Sequence, residues 1–324
     1  MPPLAAFLFL ALLSLGQGAV PGVQAAETPA YVAIGDSLAF GVGAVEPGKD
    51  GYVALVHDAL RKSDRYRERG LELANLAVPG ATTEDLLIPG GQLDSALEEI
   101  RSRTEDTSSA DDNVEIISVN IGGNDLLSLT TADSPCVDDV SGDACLDRFG
   151  EVLASLQENL TEVLRQLREE APKAGIYVLD LYNPYSGTGD ERESVADLAV
   201  QQLNGVIGAI TASDDLKVHM GTVFRLFHGR GTQWIAADGI HPNEKGHKVM
   251  AEVLLAVIDD RPPQIPVELL AEPPAPAASP TGGVPGLGKD GDSDIPWFVW
   301  LLVPLAFAAG GVVTGAYFWA RGRS

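Results

Sequence analysis

The chain has 324 residues, 45% of them hydrophobic, which is enough for one α/β domain of ordinary size with non-globular segments at both ends. Its formal net charge is −24, from 22 basic and 46 acidic residues. A surface this acidic argues against nucleic acid as a partner and against docking onto anionic lipid head groups.

Residues 1–26 are typical of a secretory signal peptide. Residues 4–15 form a continuous apolar run, and small residues suited to signal peptidase follow at Ala25 and Ala26. No Lys or Arg precedes the run, so only the amino terminus is positive there. An uncleaved anchor is the alternative, but the run is short for a membrane-spanning helix.

Between residues 27 and 260, short apolar runs alternate with amphipathic stretches. The predicted strands are residues 31–34, 71–78, 114–121, 176–181 and 217–223. The predicted helices are residues 52–60, 93–100, 149–170, 195–212 and 244–258. This alternation predicts a mostly parallel sheet with helices on both faces and a ligand site outside the carboxyl ends of the strands.

The two cysteines, Cys136 and Cys145, lie close together in a loop-like stretch. Structural zinc normally needs four ligands, and no other cysteine is present, so a zinc site is not expected. In an exported domain the pair predicts a disulfide, which would stabilise the fold by about 2–3 kcal/mol. Two free thiols are favoured only if the chain stays in the cytosol.

The last part of the chain predicts a stalk and a membrane anchor. Residues 261–294 are rich in Pro and Ala and then in Gly and Asp, which is typical of a semi-extended linker. Residues 295–320 are nearly all apolar, carry aromatic residues near both ends, and exceed the ~30 Å hydrocarbon core. The basic tail, 321–324, would then lie in the cytoplasm and the domain outside the cell. A buried core helix is disfavoured by the long linker.

This layout resembles the cell-wall sorting signals of Gram-positive bacteria, and the chain is interpreted as bacterial. No Leu-Pro-x-Thr-Gly motif precedes the apolar run, however, and Ser279-Pro-Thr-Gly is only a partial match. A retained anchor is therefore favoured over a sortase substrate.

Four short motifs follow predicted strands or precede a predicted helix. They are Gly35-Asp-Ser-Leu-Ala-Phe-Gly, Val78-Pro-Gly-Ala-Thr-Thr, Ile121-Gly-Gly-Asn-Asp and Asp238-Gly-Ile-His-Pro. Each motif alone is a weak signal, because short glycine-rich strings are common. Their combination, in this order and at these positions, is specific.

The motifs contain the residue types that nucleophilic catalysis needs. The hydroxyl of Ser37 becomes a nucleophile when a neighbouring base takes its proton, and His241 suits that role near neutral pH. Asp238 can fold back onto His241 within one turn and orient the imidazole. The Gly80 backbone N–H and the Asn124 amide can bind the negative oxygen of a tetrahedral intermediate.

Each of these residues also has a structural interpretation. Ser37 can cap the helix that follows it, and His241 can be a surface histidine before a helix. Gly80 can be a turn glycine, and Asn124 a capping residue. Catalysis is favoured because all of them occur together in sequence order.

The four motifs together resemble the four conserved blocks of SGNH hydrolases, the GDSL-type lipases and esterases, over residues 31–258. The resemblance implies a flavodoxin-like three-layer α/β/α sandwich. It implies a catalytic triad of Ser37, Asp238 and His241. It also implies an oxyanion hole made of the Ser37 and Gly80 backbone N–H groups and the Asn124 side chain. Neither a cofactor nor a metal ion is implied.

The expected function is hydrolysis of a carboxylic ester through an acyl-enzyme on Ser37. The substrate would be a small-molecule, lipid or carbohydrate ester, and the enzyme a monomer at the cell surface. Acyl transfer to a sugar hydroxyl uses the same triad and stays open. A binding protein that lost its chemistry is disfavoured, because all triad members are present. Residues 126–148, clipped by the disulfide, are expected to shape the acyl pocket.

Other polar residues are given structural interpretations. Asp36 is expected to make structural hydrogen bonds, and His247 to lie in the core or at the surface rather than to line the site. Asn159-Leu-Thr matches a glycosylation acceptor but falls on a predicted helix. Gly41-Val-Gly43 lacks the third glycine and the acid of a dinucleotide site. The histidines without a motif around them are His57, His219 and His228.

Overall fold

The structure, a computed structural model, describes residues 28–105 and 113–270. The predicted signal peptide (1–26), most of the predicted linker (261–294), the predicted membrane helix (295–320) and the tail (321–324) lie outside these ranges. Across the two described ranges, no helix combines the length and the apolar character that crossing a membrane requires.

The described residues contain one sheet of five strands. They are β1 (Ala30–Gly35), β2 (Glu72–Asn75), β3 (Val114–Asn120), β4 (Gly175–Leu179) and β5 (Val218–Gly221). The strand order is β2-β1-β3-β4-β5, and every neighbouring pair is parallel. The prediction of a mostly parallel sheet is confirmed, and the order is that of flavodoxin-like folds.

Helices and short helical turns connect the strands. They are α1 (Ser37–Phe40), α2 (Pro47–Asp50), α3 (Tyr52–Lys62), α4 (Thr83–Leu86), α5 (Gln92–Glu105), α6 (Gly123–Leu127), a 3₁₀ turn (Ser128–Thr130), α7 (Pro135–Asp138), α8 (Asp143–Glu170), α9 (Glu193–Thr211), α10 (Phe224–Phe227), α11 (Gly231–Trp234), α12 (Glu244–Ile258) and α13 (Val267–Leu270). The five long helices confirm the predicted ones, and the short ones were not predicted.

Right-handed crossovers place the long helices in two layers. The chain moves from β1 to β2 in one direction and from β2 to β3 in the other, so α3 and α5 fall on opposite faces of the sheet. The contacts agree: α12 packs on α3, whereas α8 packs on both α5 and α9. The sheet therefore lies between two helical layers, and β1 is buried along its whole length.

Three predicted elements had wrong boundaries, the strand 71–78 and the helices 93–100 and 149–170. The predicted helix 93–100 extends further, to Glu105. The predicted strand 71–78 ends at Asn75, although the N–H groups of Leu76 and Val78 still donate to β1, at 2.8 Å and 3.0 Å. The predicted helix 149–170 begins earlier, at Asp143. The region around the cysteines is therefore partly helical rather than loop-like.

A disulfide joins Cys136 on α7 to Cys145 in the first turn of α8, with a Cα–Cα distance of 4.6 Å. The Ser134 hydroxyl caps α7 by accepting the Cys136 N–H at 3.3 Å. The bridge and the cap together hold this short helix against the start of α8.

Candidate active site

The site begins where β1 turns into α1. Gly35 ends β1 with a φ of +145°, and a Cβ there would lie 2.2 Å from the backbone oxygen of Asn120. Only glycine allows this approach. The next residue, Asp36, donates its N–H to the same oxygen at 3.2 Å. The ends of β1 and β3 are thus pressed together, and Ser37 becomes the first residue of α1.

Asp36 caps α1 and makes the structural hydrogen bond expected of it. Its Oδ1 accepts the Leu38 N–H at 2.9 Å, and the residue is only 1% exposed. Burial, assisted by the negative charge of the nearby Asp125, raises the pKa of its carboxyl to about 7, although the hydrogen bond from the Leu38 N–H lowers it. The nucleophile candidate therefore stands beside a buried acid that is partly neutral at physiological pH.

The structure brings Ser37, His241 and Asp238 into one hydrogen-bonded chain. The Ser37 Oγ lies 2.9 Å from His241 Nε2, across 204 residues of sequence. The His241 Nδ1 lies 2.7 Å from Asp238 Oδ2. This is the geometry in which an acid orients an imidazole and the imidazole accepts a proton from a serine.

A short hairpin carries Asp238 and His241. Ile235 pairs with Pro242, and the Ala236 N–H donates to the His241 carbonyl at 2.8 Å. The Tyr182 hydroxyl, just beyond β4, donates to the Ile240 carbonyl at 2.7 Å and ties the hairpin to the sheet. No local pattern in the sequence points to this role of Tyr182.

Backbone groups hold the Asp238 carboxylate in place. Its Oδ1 accepts the N–H groups of Ile240 and His241, both at 3.0 Å. Although partial burial raises the pKa of Asp238, these donors and the His241 side chain lower it below its usual range. Asp238 is therefore ionised at neutral pH and can stabilise an imidazolium on His241.

His247 and Gly43 fix the segment after α1 against the hairpin. The buried His247 ring accepts the Tyr52 N–H at Nδ1, at 3.3 Å, and donates from Nε2 to the Val42 carbonyl, at 3.0 Å. Burial lowers the pKa of His247 to about 4, so the ring stays neutral. A Cβ at Gly43 would lie 2.2 Å from the Pro242 oxygen and 3.0 Å from the His241 Cβ. His247 thus has a core role, and Gly43 allows the close approach of the two loops.

The two backbone N–H groups predicted to bind an oxyanion are free to do so. Within the described residues, neither the Ser37 N–H nor the Gly80 N–H donates to another group. Gly80 is exposed, has a φ of +87°, and has no atom within 4 Å of the position of a Cβ.

Asn124 lies in the same part of the structure. Its Nδ2 donates one hydrogen to the Ala81 carbonyl at 2.8 Å, which leaves the other hydrogen for a ligand. A Cβ placed on its neighbour Gly123 would lie 3.6 Å from a carboxylate oxygen of Asp36. The ends of β1, β2 and β3 therefore bring Ser37, Gly80 and Asn124 together.

Asp125 anchors this arrangement. Its carboxylate accepts the Thr83 N–H, at 3.0 Å and 3.3 Å, and the Thr83 hydroxyl, at 2.5 Å. Asn159 on α8 donates to the same hydroxyl at 3.3 Å and is half-buried. These contacts hold α4, and with it the Gly80 turn, in place.

The remaining histidines make contacts away from this centre. His57 bonds to the Leu71 carbonyl at 2.7 Å, His219 stacks on Tyr177, and His228 lies 3.3 Å from the Ser186 hydroxyl. In the part of the chain that the structure describes, no group of three or more His, Cys, Asp or Glu side chains could hold a metal ion.

Comparison with known proteins gives one matching family and several similar chains. The model of the GDSL-like lipase/acylhydrolase family matches residues 33–249. The spore germination lipase LipC of Bacillus licheniformis is 27% identical over 233 residues, which cover 70% of this chain and 94% of that protein.

Two solved structures share the fold. A lipase from a goat rumen metagenome has a TM-score of 0.54 and 22% identity, covering 71% of this chain and 97% of its own. An extracellular lipase from Streptomyces rimosus has a TM-score of 0.52 and 23% identity, covering 71% of this chain and 100% of its own.

The close contact at Gly43 predicts a selective loss of activity in Gly43→Ala. The added methyl group would push the hairpin away from Ser37, and a misplacement of about 1 Å at a catalytic centre costs on the order of 100-fold. We expect kcat/KM to fall about tenfold to 100-fold. Gly189→Ala is the matched control, because Gly189 also has a positive φ of +75° but no atom within 4 Å of a Cβ. Equal kcat/KM in the two variants would contradict the role of this contact.

The raised pKa of Asp36 predicts a pH-dependent stability that Asp36→Asn removes. The carboxyl has a pKa near 3.8 when solvated and about 7 in the fold. Its neutral form therefore contributes stability that is fully present below about pH 4 and is lost as the pH rises through about 7. Asn can accept the same N–H but cannot ionise.

Urea unfolding at pH 5 and pH 8 measures this effect. We expect the free energy of unfolding to fall less over this range in Asp36→Asn than in the wild type. Asp36→Ala is the control: it loses the cap as well, at a cost of about 1 kcal/mol at both pH values. An identical pH dependence in wild type and Asp36→Asn would show that Asp36 does not titrate as described.

Proposed function

Because the chain belongs to the GDSL-like lipase/acylhydrolase family and is a carboxylic ester hydrolase, we propose that it acts through an acyl-enzyme formed on Ser37. The observation that carries this proposal is the chain of hydrogen bonds from Ser37 Oγ through His241 to Asp238. No other serine of the described residues is within hydrogen-bond distance of a histidine that is itself bonded to a carboxylate.

In the first half of the reaction, Ser37 Oγ attacks the carbonyl carbon of the ester. His241 holds its Nδ1 proton toward Asp238, so Nε2 is the free acceptor and takes the serine proton at 2.9 Å. The imidazolium is stabilised by Asp238. When the tetrahedral intermediate collapses, the carbon–oxygen bond to the alcohol breaks and His241 gives that proton to the leaving alcohol.

In the second half, water replaces the alcohol. His241 takes a proton from the water, which attacks the acyl carbon, and the proton then returns to Ser37 Oγ as the acid leaves. In both halves the negative oxygen would accept hydrogen bonds from the Ser37 and Gly80 N–H groups and from Asn124. Loss of one such donor typically costs about 10²–10³ in turnover.

Turnover of a chromogenic short-chain ester tests the nucleophile. We expect Ser37→Ala to lose at least about 10³-fold in kcat, because the base then has no hydroxyl to activate. Ser102→Ala on the exposed face of α5 is the matched control and should retain wild-type kcat. The wild type should also release close to one equivalent of alcohol in a burst wherever deacylation is slow. Wild-type turnover by Ser37→Ala would overturn the mechanism.

We propose further that the domain works outside the cytoplasm. The Cys136–Cys145 disulfide supports this, because cytosolic reductants keep thiols reduced. The apolar run at residues 4–15 supports export, and the one at residues 295–320 supports a single-pass anchor at the cell surface.

Protease treatment of intact bacterial cells that produce the full chain tests this location. We expect the domain to be degraded while a cytoplasmic marker survives. A chain truncated after residue 270 should appear in the medium as active enzyme, because the proposed anchor is gone. Protection of the domain in intact cells would argue for a cytoplasmic protein, and retention of the truncated chain at the membrane would rule out this anchor.

A further inference from the structure

The outward face of α1 carries a large apolar side chain next to the nucleophile. The two middle residues of this four-residue helix, Leu38 and Ala39, are buried. Ser37 and Phe40 are three residues apart and therefore share the opposite face. Because helical side chains tilt toward the amino terminus, we expect the Phe40 side chain to lean toward the turn that carries Ser37. Phe40 is nevertheless 42% exposed.

A second exposed apolar residue stands beside the proposed oxyanion donor. Val78 is two residues before Gly80 and is 51% exposed. Its N–H donates to the Gly35 carbonyl at 3.0 Å, so it lies at the end of β1, where the nucleophile turn begins. Asn75, at the end of β2, donates to the Ala39 carbonyl at 2.9 Å. That bond places the last turn of α1, with Phe40, at the β2 side of the site.

The histidine is carried from the β4 side, and its hairpin meets the chain at Gly43, beyond the end of α1. The hairpin that carries His241 is tied through Tyr182 to the end of β4, and β4 and β2 lie on opposite sides of β1. The general acid must reach the oxygen of the leaving alcohol, so the alcohol part of an ester faces His241. The carbonyl oxygen faces the Gly80 N–H and Asn124, so the acyl chain takes the remaining direction around the carbonyl carbon, away from His241.

We propose that Phe40 and Val78 form an acyl platform, a surface that binds the hydrocarbon chain of the acyl group and sets a preference for medium-length acyl chains over acetate. This inference rests on the proposed function of Ser37. Both side chains are uncharged, although the chain has a net charge of −24. A hydrocarbon chain laid across the platform would cover apolar surface that the fold leaves in contact with water.

The platform differs from the location expected from the sequence, the disulfide segment 126–148. That segment also exposes apolar residues, Val137 and Val140. However, α7 packs against α8 and the 3₁₀ turn, whereas Phe40 and Val78 are within three residues of Ser37 and Gly80 in the chain. This closeness in sequence to the reacting groups favours the platform as the binding site of the acyl chain.

A series of p-nitrophenyl esters with acetyl, butanoyl, hexanoyl and octanoyl groups tests the platform, because the alcohol stays constant. Each methylene covered by apolar surface contributes about twofold to fourfold in kcat/KM. We expect the wild type to prefer octanoate to acetate. Phe40→Ala and Val78→Thr should each lower the octanoate-to-acetate ratio of kcat/KM by about fivefold to tenfold. Phe40→Leu, which keeps an apolar side chain, should restore most of the ratio.

Two further variants and a second ester series complete the design. Val195→Thr on α9, exposed to a similar extent at 45%, is the matched control and should leave the ratio unchanged. Val137→Thr tests the disulfide segment and should also leave it unchanged. In a series of butanoate esters with ethyl to octyl alcohols, the preference among alcohols should be the same in wild type and Phe40→Ala.

The outcomes separate the platform from the proposed function. A wild-type ratio in both Phe40→Ala and Val78→Thr, with normal ester turnover, would overturn the platform and leave the role of Ser37 intact. A changed ratio in Val137→Thr alone would assign the acyl chain to the disulfide segment. A changed alcohol preference in Phe40→Ala would reverse the orientation of the substrate. Absence of ester turnover by the wild type would overturn the proposed function and the platform with it.

Discussion

The site depends on how closely the carboxyl ends of β1 and β3 approach each other. Gly35 lies so near the Asn120 carbonyl that any side chain there would collide with it. This contact turns the chain so that α1 begins in front of the point where the strand order reverses, which is where open α/β sheets bind their ligands. The Gly80 turn lies to one side of that point, and the hairpin of Asp238 and His241 lies to the other.

Around this point, backbone groups rather than opposite charges hold the buried polar side chains. Asp36 accepts from the Leu38 N–H, Asp125 from Thr83, and His247 lies between a backbone N–H and a backbone carbonyl. These bonds define loop positions without adding a cation beside Ser37. The charge that matters for proton transfer is that of Asp238, which is partly exposed and directed at His241. The residues that fix the positions of the loops are thus different from the residues that assist proton transfer.

The parallel sheet and the positions of the motifs were predictable because strands buried on both faces are continuous apolar runs. A four-residue helix such as α4 was not, because it cannot form alone and depends on the contact of Asp125 with Thr83 across 42 residues. The first residues of α8 were not predicted to be helical. The disulfide joins them to α7, and this contact depends on both segments together. The roles of His247 and Gly43 arise from contacts with segments about 200 residues away in sequence, which no local pattern reveals.

The hairpin that joins Asp238 to His241 has a consequence for how the protein assembles. That contact closes a loop of three residues, whereas the contact of His241 with Ser37 closes one of 204. Local contacts form early in folding, and distant ones must wait for the elements between them. The imidazole therefore has its carboxylate before it has a serine to activate. During refolding, we therefore expect catalysis to recover after the helical signal, because it requires α12 to dock on α3.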